Sequence, residues 1–247
     1  SGRRPGPLGR HVRIRTGVAM GLEPVRLRPI PVHVPWAALA TDGASGAAVG
    51  LGGDDAATVR LDTSRGALVV GSPGSGRSNA LEVIAVGLVR AGRRVAAVAP
   101  PGALRAVPGL RWSVDHADIP ALLDELEACP GPVDLVVDDL DDLDQARPLD
   151  VERLARVVAP DATCDVRLIA SARTARAATA YREPLARLRA GRRGLVLDPH
   201  EPGSADVFGR SLEWVIDPTR PHARGRGALH DDTQVVAVQV ARACSGA

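Results

Sequence analysis

Residues 71–78 read Gly71-Ser72-Pro73-Gly74-Ser75-Gly76-Arg77-Ser78. This is the pattern G-x-x-x-x-G-K-[ST] with arginine in the lysine position. Glycines at this spacing let the backbone curl so that successive N–H groups wrap an anion, and the helix that follows adds its positive end. The cation at Arg77 is placed to reach terminal phosphates and the Ser78 hydroxyl to reach Mg²⁺. The flanks agree. An apolar run, Ala67-Leu68-Val69-Val70, precedes the loop, and a helical pattern over 79–90 follows it.

Two other readings compete. A dinucleotide fold needs G-x-G-x-x-G, but Asn79 stands where the third glycine of Gly74-Ser75-Gly76 would fall. The second strand also ends in Ala99-Pro100-Pro101 with no acid to hold a ribose. A plain turn in a glycine-rich chain is the bland alternative, and it leaves the strand and helix flanks unexplained.

Outward from the loop, apolar runs alternate with helical patterns. Strands are predicted over 94–99, 112–114, 133–137, 166–170, 194–197 and 235–240, and helices over 118–128, 150–158 and 175–189, the last interrupted by Pro184. Buried runs alternating with helices predict an α/β fold with a mostly parallel sheet. The leading quarter differs. Short alternations at 25–30 and 32–34, and two short strands at 47–53 and 57–61 around Gly53-Asp54-Asp55, predict a small β-rich N-terminal appendage. The expected organisation is a linker or the tail of a preceding module over 1–22, a β-rich lead-in over 23–66 and the core over 67–247. A faint echo between Gly9-Arg10-His11 and Gly225-Arg226-Gly227 suggests the preceding module.

The strand at 133–137 ends in Asp138-Asp139. In P-loop ATPases such a strand delivers a carboxylate beside Mg²⁺, here Asp138, and the next residue polarises the attacking water. That residue is usually Glu; here it is Asp139, one methylene shorter, and a displacement of about 1 Å at a reacting centre costs roughly 10²-fold in rate. A solvated acidic loop is the competing reading, since Asp141, Asp142 and Asp144 continue the run. Ser171, and after it Arg173, stand at the tip of the 166–170 strand, where this superfamily carries a γ-phosphate sensor. Arg187, Arg189, Arg192 and Arg193 crowd eight residues and offer either a finger toward a neighbour's nucleotide or a solvated helix face.

Composition narrows the partners. The chain has 247 residues, 45% hydrophobic and 2% aromatic, so its core is built from small aliphatics. Its 31 basic residues are all arginine, and the formal charge of +2 gives no general polyanion signal. No run of about 18 apolar residues is present, so no membrane insertion is expected, and the opening Ser1-Gly2-Arg3-Arg4-Pro5-Gly6-Pro7 lacks the apolar middle of a signal peptide. Cys129, Cys164 and Cys244 form no CxxC pair, which argues against a zinc site or a disulfide framework and for a reducing, cytoplasmic setting.

The order GSPGSGRS, VDLVVDDLDD (133–142), LIASAR (168–173) and RRGLVLDPHEPGSADVFG (192–209) resembles an FtsK/SpoIIIE-type ATPase module, most like the tandem modules of actinobacterial type VII secretion ATPases of the EccC type. The likeness covers roughly 24–242. It implies a RecA-like core, binding of ATP and Mg²⁺ through residues 71–78 with Asp138 beside the metal, and assembly with neighbouring ATPase modules on the cytoplasmic side of a membrane-bound secretion complex. Later modules of this type are commonly degenerate and recognise substrate signal peptides. Arg77 for lysine and Asp139 for glutamate are departures of that kind, and they imply a regulatory or substrate-recognition module that binds nucleotide weakly or without turnover. The alternative is an active translocase of double-stranded DNA; a scaffold whose loop binds nothing, with Arg77 folded into the phosphate site, is a third.

Overall fold

A computed structural model describes residues 28–40, 46–215 and 223–243. The chain forms, in order, β1 (Ala47–Gly52), β2 (Ala57–Leu61), β3 (Ala67–Val70), α1 (Arg77–Arg90), β4 (Val95–Val98), β5 (Trp112–Val114), α2 (Ile119–Ala128) and β6 (Val133–Val137). Then follow α3 (Leu140–Ala146), α4 (Pro148–Val157), β7 (Val166–Ala172), α5 (Thr174–Ala178), α6 (Leu185–Ala190), β8 (Gly194–Leu197), α7 (Ser204–Phe208), β9 (Arg226–His230) and β10 (Val235–Val240).

The strands make one sheet in the order β2-β1-β10-β9-β8-β3-β7-β6-β4-β5. From β8 to β5 every pairing is parallel; from β8 outward through β9, β10, β1 and β2 every pairing is antiparallel. The sheet is thus a parallel core with an antiparallel wing. The early strands extend the core sheet itself through β10. The stretch 28–35, read in part as extended chain, forms no ladder; it meets the wing at the bridge Pro35–Arg242, through Arg28 N–H to the Asp54 carbonyl and through Arg226 to the Ile30 carbonyl. Residues 1–27, which hold the start of the 25–30 alternation and the first member of the echo, lie outside the described residues.

The parallel strands are mostly apolar because both faces are covered, with Asp134 on β6 and Arg167 and Ser171 on β7 among the exceptions. Side chains alternate between the faces. Ala67 and Val69 of β3, with Val95 and Ala97 of β4, join one core, where Leu81, Ile84 and Leu88 of α1 pack. Leu68, Val70, Ala96 and Val98 join the other, covered by Ile119, Leu122, Leu123 and Leu126 of α2 and by Val151, Leu154 and Val157 of α4. Each fully buried Leu or Ile contributes about 1.5–3 kcal/mol, so these two layers fix the sheet order.

Three expectations change in detail. The helix read over 175–189 is two, α5 and α6, and Pro184 stands immediately before the second, where a proline is tolerated and a continuous helix is not. The acidic run after β6 is the helix α3, whose Asp141 is buried together with Leu140 and Leu143. The short helix α7 and strand β9 have no strong period in sequence. Among the described residues no helix is long and apolar enough to cross a membrane.

His230 on β9 is 2% exposed, with its ring 4.8 Å from that of Phe208. Burial, helped by the charge of Arg210, holds its imidazole down at about 4 from 6.5. The unfolded chain therefore takes up the extra proton as pH falls from 6.5 to about 4, and stability drops through that window by up to about 3 kcal/mol. Asp134, beside Arg93 at 2.5 Å, works in the opposite sense. Burial raises its carboxyl from 3.8 to about 6, so its contribution is full below 3.8 and is lost as pH rises through about 6. His230→Gln is expected to lose less stability than the parent between pH 7 and 4.5, measured by urea midpoints at both; an unchanged drop would clear His230 of the effect.

Candidate functional site

The loop between β3 and α1 sits at the C-terminal ends of the parallel strands, where an open α/β sheet binds its ligands. Parallel pairing sets Val69 opposite Ser171 and Val70 opposite Ala172, so the loop leaves β3 beside the tip of β7. Next to β7, β6 pairs Val137 with Ala170, which brings Asp138 and Asp139 to the same place. The strand that ends in Ser171 thus lies between the loop strand and the acidic strand.

The loop is tightly wound. Gly76 caps α1 at φ 108°, a conformation open to glycine and strained for side-chain-bearing residues. A side chain on Gly71 would place Cβ 2.4 Å from Ser75 Oγ and 2.7 Å from the Leu197 carbonyl. Ser75 N–H donates to the Ser72 carbonyl at 3.1 Å, and Gly225 N–H donates to the Ser75 carbonyl at 2.8 Å, fastening the loop to the segment before β9.

Arg77 turns back over the loop. One terminal nitrogen donates to the Gly71 carbonyl at 2.5 Å and the other to Asp139 Oδ1 at 2.6 Å. Its side chain is 12% exposed and that of Asp139 27%. The cation expected at the phosphates is therefore paired with the carboxylate expected at the water. An ammonium in the same place would act as a point charge with three rotatable donors; the guanidinium is a planar fork that spans two acceptors at once.

Ser171 joins the two acids. Its hydroxyl donates to Asp138 Oδ1 at 2.6 Å and accepts from the Asp139 N–H at 2.8 Å, and Ser171 is fully buried. The hydrogen bond holds Asp139 at φ 51°, in the left-handed region that Asp tolerates better than most residues. Asp138 is 5% exposed, and its backbone carbonyl lies 2.9 Å from His116 Nε2. Arg173 bonds away from the loop, through Nε to Asp141 Oδ2 at 2.6 Å and through a terminal nitrogen to Asp142. Its role is to tie α3 to the end of β7. Of the clustered arginines, Arg193 is buried between Asp62 and Asp232, Arg187 pairs with Glu183, and Arg189 donates to the Ala180 carbonyl.

One residue was not singled out from sequence. Asp198, directly after β8, accepts a 2.5 Å hydrogen bond from Ser72 Oγ and so places a third carboxylate at the loop. The signal was present in sequence, since an acid directly follows an apolar strand at Leu197-Asp198 as it does at Val137-Asp138. Only the strand order, with β8 beside β3, gives it meaning.

Phosphates fit the loop in part. Ser75 Oγ and Arg77 Nε are buried without a partner, two donors of the kind an oxyanion satisfies. Against them, Ser72 and both terminal nitrogens of Arg77 are already engaged. Ser78 is exposed on the first turn of α1 and Asp138 is at the neighbouring strand end. Among the described residues no three His, Cys, Asp or Glu side chains gather to hold a metal. Mg²⁺ bound through one carboxylate, substrate phosphates and water requires no such cluster.

No protein-family model matches this chain, and no curated protein matches it. Similar solved structures include Thermomonospora curvata EccC (ATPases 2 and 3) in complex with a signal sequence peptide, at 20% identity and TM-score 0.66, over 87% of this chain and 44% of that one. The cytoplasmic domain of the Thermomonospora curvata type VII secretion ATPase EccC matches at 21% identity and TM-score 0.66, over 87% and 28%. EssC (ATPases 2 and 3) from Geobacillus thermodenitrificans matches at 16% and TM-score 0.63, over 86% and 45%. The chain spans less than half the length of each. At these identities the likeness is one of fold: the chain has the α/β fold of the P-loop ATPase modules of EccC and EssC.

Ser171→Ala removes a buried hydroxyl that serves both acids, leaving Asp138 Oδ1 and the Asp139 N–H one partner short. A loss of about 1–3 kcal/mol of stability is expected, read as a shift of the urea midpoint at unchanged slope. A variant as stable as the parent would show that Ser171 does not hold the acidic turn.

Proposed function

We propose that the chain is a degenerate FtsK/SpoIIIE-type ATPase module of a type VII secretion motor. It takes up ATP with Mg²⁺ weakly and without efficient turnover, and serves as a regulatory or substrate-recognition domain. The observation that carries the reading is the Arg77–Asp139 pair inside the loop. Nucleotide phosphates entering the loop must draw the guanidinium from Asp139, so binding is weakened by an internal competitor. Asp139, held by Arg77 and one methylene shorter than glutamate, is poorly placed to orient water. Ser75 Oγ, Arg77 Nε and the helix N-terminus are the groups that would hold the phosphates, with Ser78 and Asp138 on the metal side. The metal would neutralise phosphate charge when bound.

The partners proposed are neighbouring ATPase modules and the signal peptide of a secreted substrate, on the cytoplasmic side of a secretion complex. The EccC module pair solved with a signal sequence peptide supports this choice. So does a groove of about 410 Å³ between α3, α4 and the segment leading to α6, where Tyr181 stands 87% exposed. DNA translocation has less behind it, because Arg153, Arg173, Arg187 and Arg193 all face carboxylates of their own chain.

Calorimetry with ATP and Mg²⁺, paired with a phosphate-release assay, tests the reading. Binding with no measurable turnover is expected; turnover on the order of 1 s⁻¹ or faster overturns it. Asp139→Asn removes the competing charge while keeping a residue that accepts the left-handed turn, and Arg77→Lys restores the common pattern. Each is expected to tighten ATP about tenfold, or about 1.4 kcal/mol; unchanged or weaker binding in both would show that the pair does not oppose phosphate.

A further inference from the structure

The groove beside Tyr181 and the glycine loop are built on the same few residues. α3, which lines the groove with Leu140, Asp141, Asp144 and Gln145, starts directly after Asp139, the carboxylate that holds Arg77. α5, which lines it with Arg176 and Thr179, starts directly after Arg173. Arg173 ties the two helices together. Its N–H donates to Asp141 Oδ1 at 3.3 Å and its Nε to Asp141 Oδ2 at 2.6 Å, with a terminal nitrogen on Asp142. Two residues earlier, Ser171 Oγ accepts from the Asp139 N–H at 2.8 Å. Asp139, Ser171 and Arg173 thus form the charged edge of the loop and the hinge of the groove at once.

The arrangement leaves little room for movement. Arg77 reaches Asp139 Oδ1 at 2.6 Å, and a displacement of about 1 Å carries that contact to about 3.6 Å, outside hydrogen-bond range. Leu140 follows Asp139 and lines the groove, so a body that spreads the walls acts on Asp139 through one peptide unit. α3 is the wall that can give. It has seven residues, with Leu140, Asp141 and Leu143 buried and Asp142, Gln145 and Ala146 exposed. The neighbouring wall, α4, has ten residues and is anchored by Val151, Leu154 and Val157.

We propose that the groove is an allosteric site for the loop of the same module. An occupant that parts α3 from α5 draws Asp139 off Arg77, frees the guanidinium for phosphates and raises the affinity for nucleotide. The inference rests on the reading that phosphates enter the loop against the Arg77–Asp139 pair and that the groove takes a substrate peptide. Two states are involved: α3 seated with the pair closed, and α3 displaced with the pair open. Groove and loop ligands both favour the second, so the effect is reciprocal, and phosphates in the loop loosen α3 by the same free energy. A module that holds nucleotide weakly when its groove is empty holds it firmly when substrate is seated.

Tryptophan at an exposed position on either wall stands in for the occupant. Thr179→Trp and Gln145→Trp are titrated with ATP and Mg²⁺ beside the parent, Asp139→Asn and the double variant Asp139→Asn/Thr179→Trp, with urea midpoints to confirm folding. Each wedge is expected to tighten ATP about fivefold. The double variant is expected to bind no tighter than Asp139→Asn alone, because the charge that the wedge withdraws is already gone. In the parent, inorganic tripolyphosphate with Mg²⁺ is expected to speed hydrogen exchange at the N–H groups of Leu143 and Arg147, which bond to the Asp139 and Leu143 carbonyls. Wedges that leave ATP affinity unchanged while Asp139→Asn tightens it overturn the link and leave the reading of the loop standing. Gains that multiply in the double variant, or exchange in α3 that does not respond to bound tripolyphosphate, do the same. If no form binds ATP or tripolyphosphate, both readings fall.

Discussion

The parallel pairing of β3 with β7, and of β7 with β6, is the constraint on which the functional end of the molecule depends. Three segments far apart in sequence end on the same edge because their strands run side by side in one direction. The loop at 71–78, the acidic turn at 138–139 and the tip at 171–173 meet there. Apolar side chains on both faces hold that register: a slip of one residue would turn Leu68 and Val70 toward the α1 layer and Val69 toward the α2 layer. Geometry at the site is thus inherited from packing some distance below it.

Charge at that edge is arranged inward. Arg77 pairs with Asp139, Arg173 with Asp141 and Asp142, Ser72 with Asp198, and Ser171 with both Asp138 and the Asp139 backbone. A glycine loop of the pattern that wraps anions here has its own carboxylates in reach, and the planar guanidinium bonds one of them. The lysine-free composition matters for this reason. On a surface, arginine replaces lysine with little consequence; over a phosphate loop it can bridge a backbone carbonyl and a carboxylate at the same time. The unpaired Ser75 Oγ and Arg77 Nε show that the internal arrangement is incomplete.

Much of this was legible in the chain. Strand, loop and helix around Gly71–Ser78 follow from glycine spacing and apolar runs, because those signals are local. The break before Leu185 follows from Pro184. Less legible were α3, read as a candidate acidic loop, and Asp198. In α3 the acids face both ways, Asp141 inward to Arg173 and Asp142 outward, so charge alone gave no period. Asp198 gained its place only from β8 lying beside β3.

The amino-acid sequence by itself determined the class of fold, the glycine loop, the acidic strand end and the two departures at Arg77 and Asp139, since each is set by residue type and short-range spacing. The tertiary structure alone decided where the altered residues point. Arg77 and Asp139 are 62 positions apart, and Ser72 and Asp198 are 126 apart. No local rule reaches across such separations. Sheet order does, because burying both faces of β3 leaves its ends beside β7 and β8.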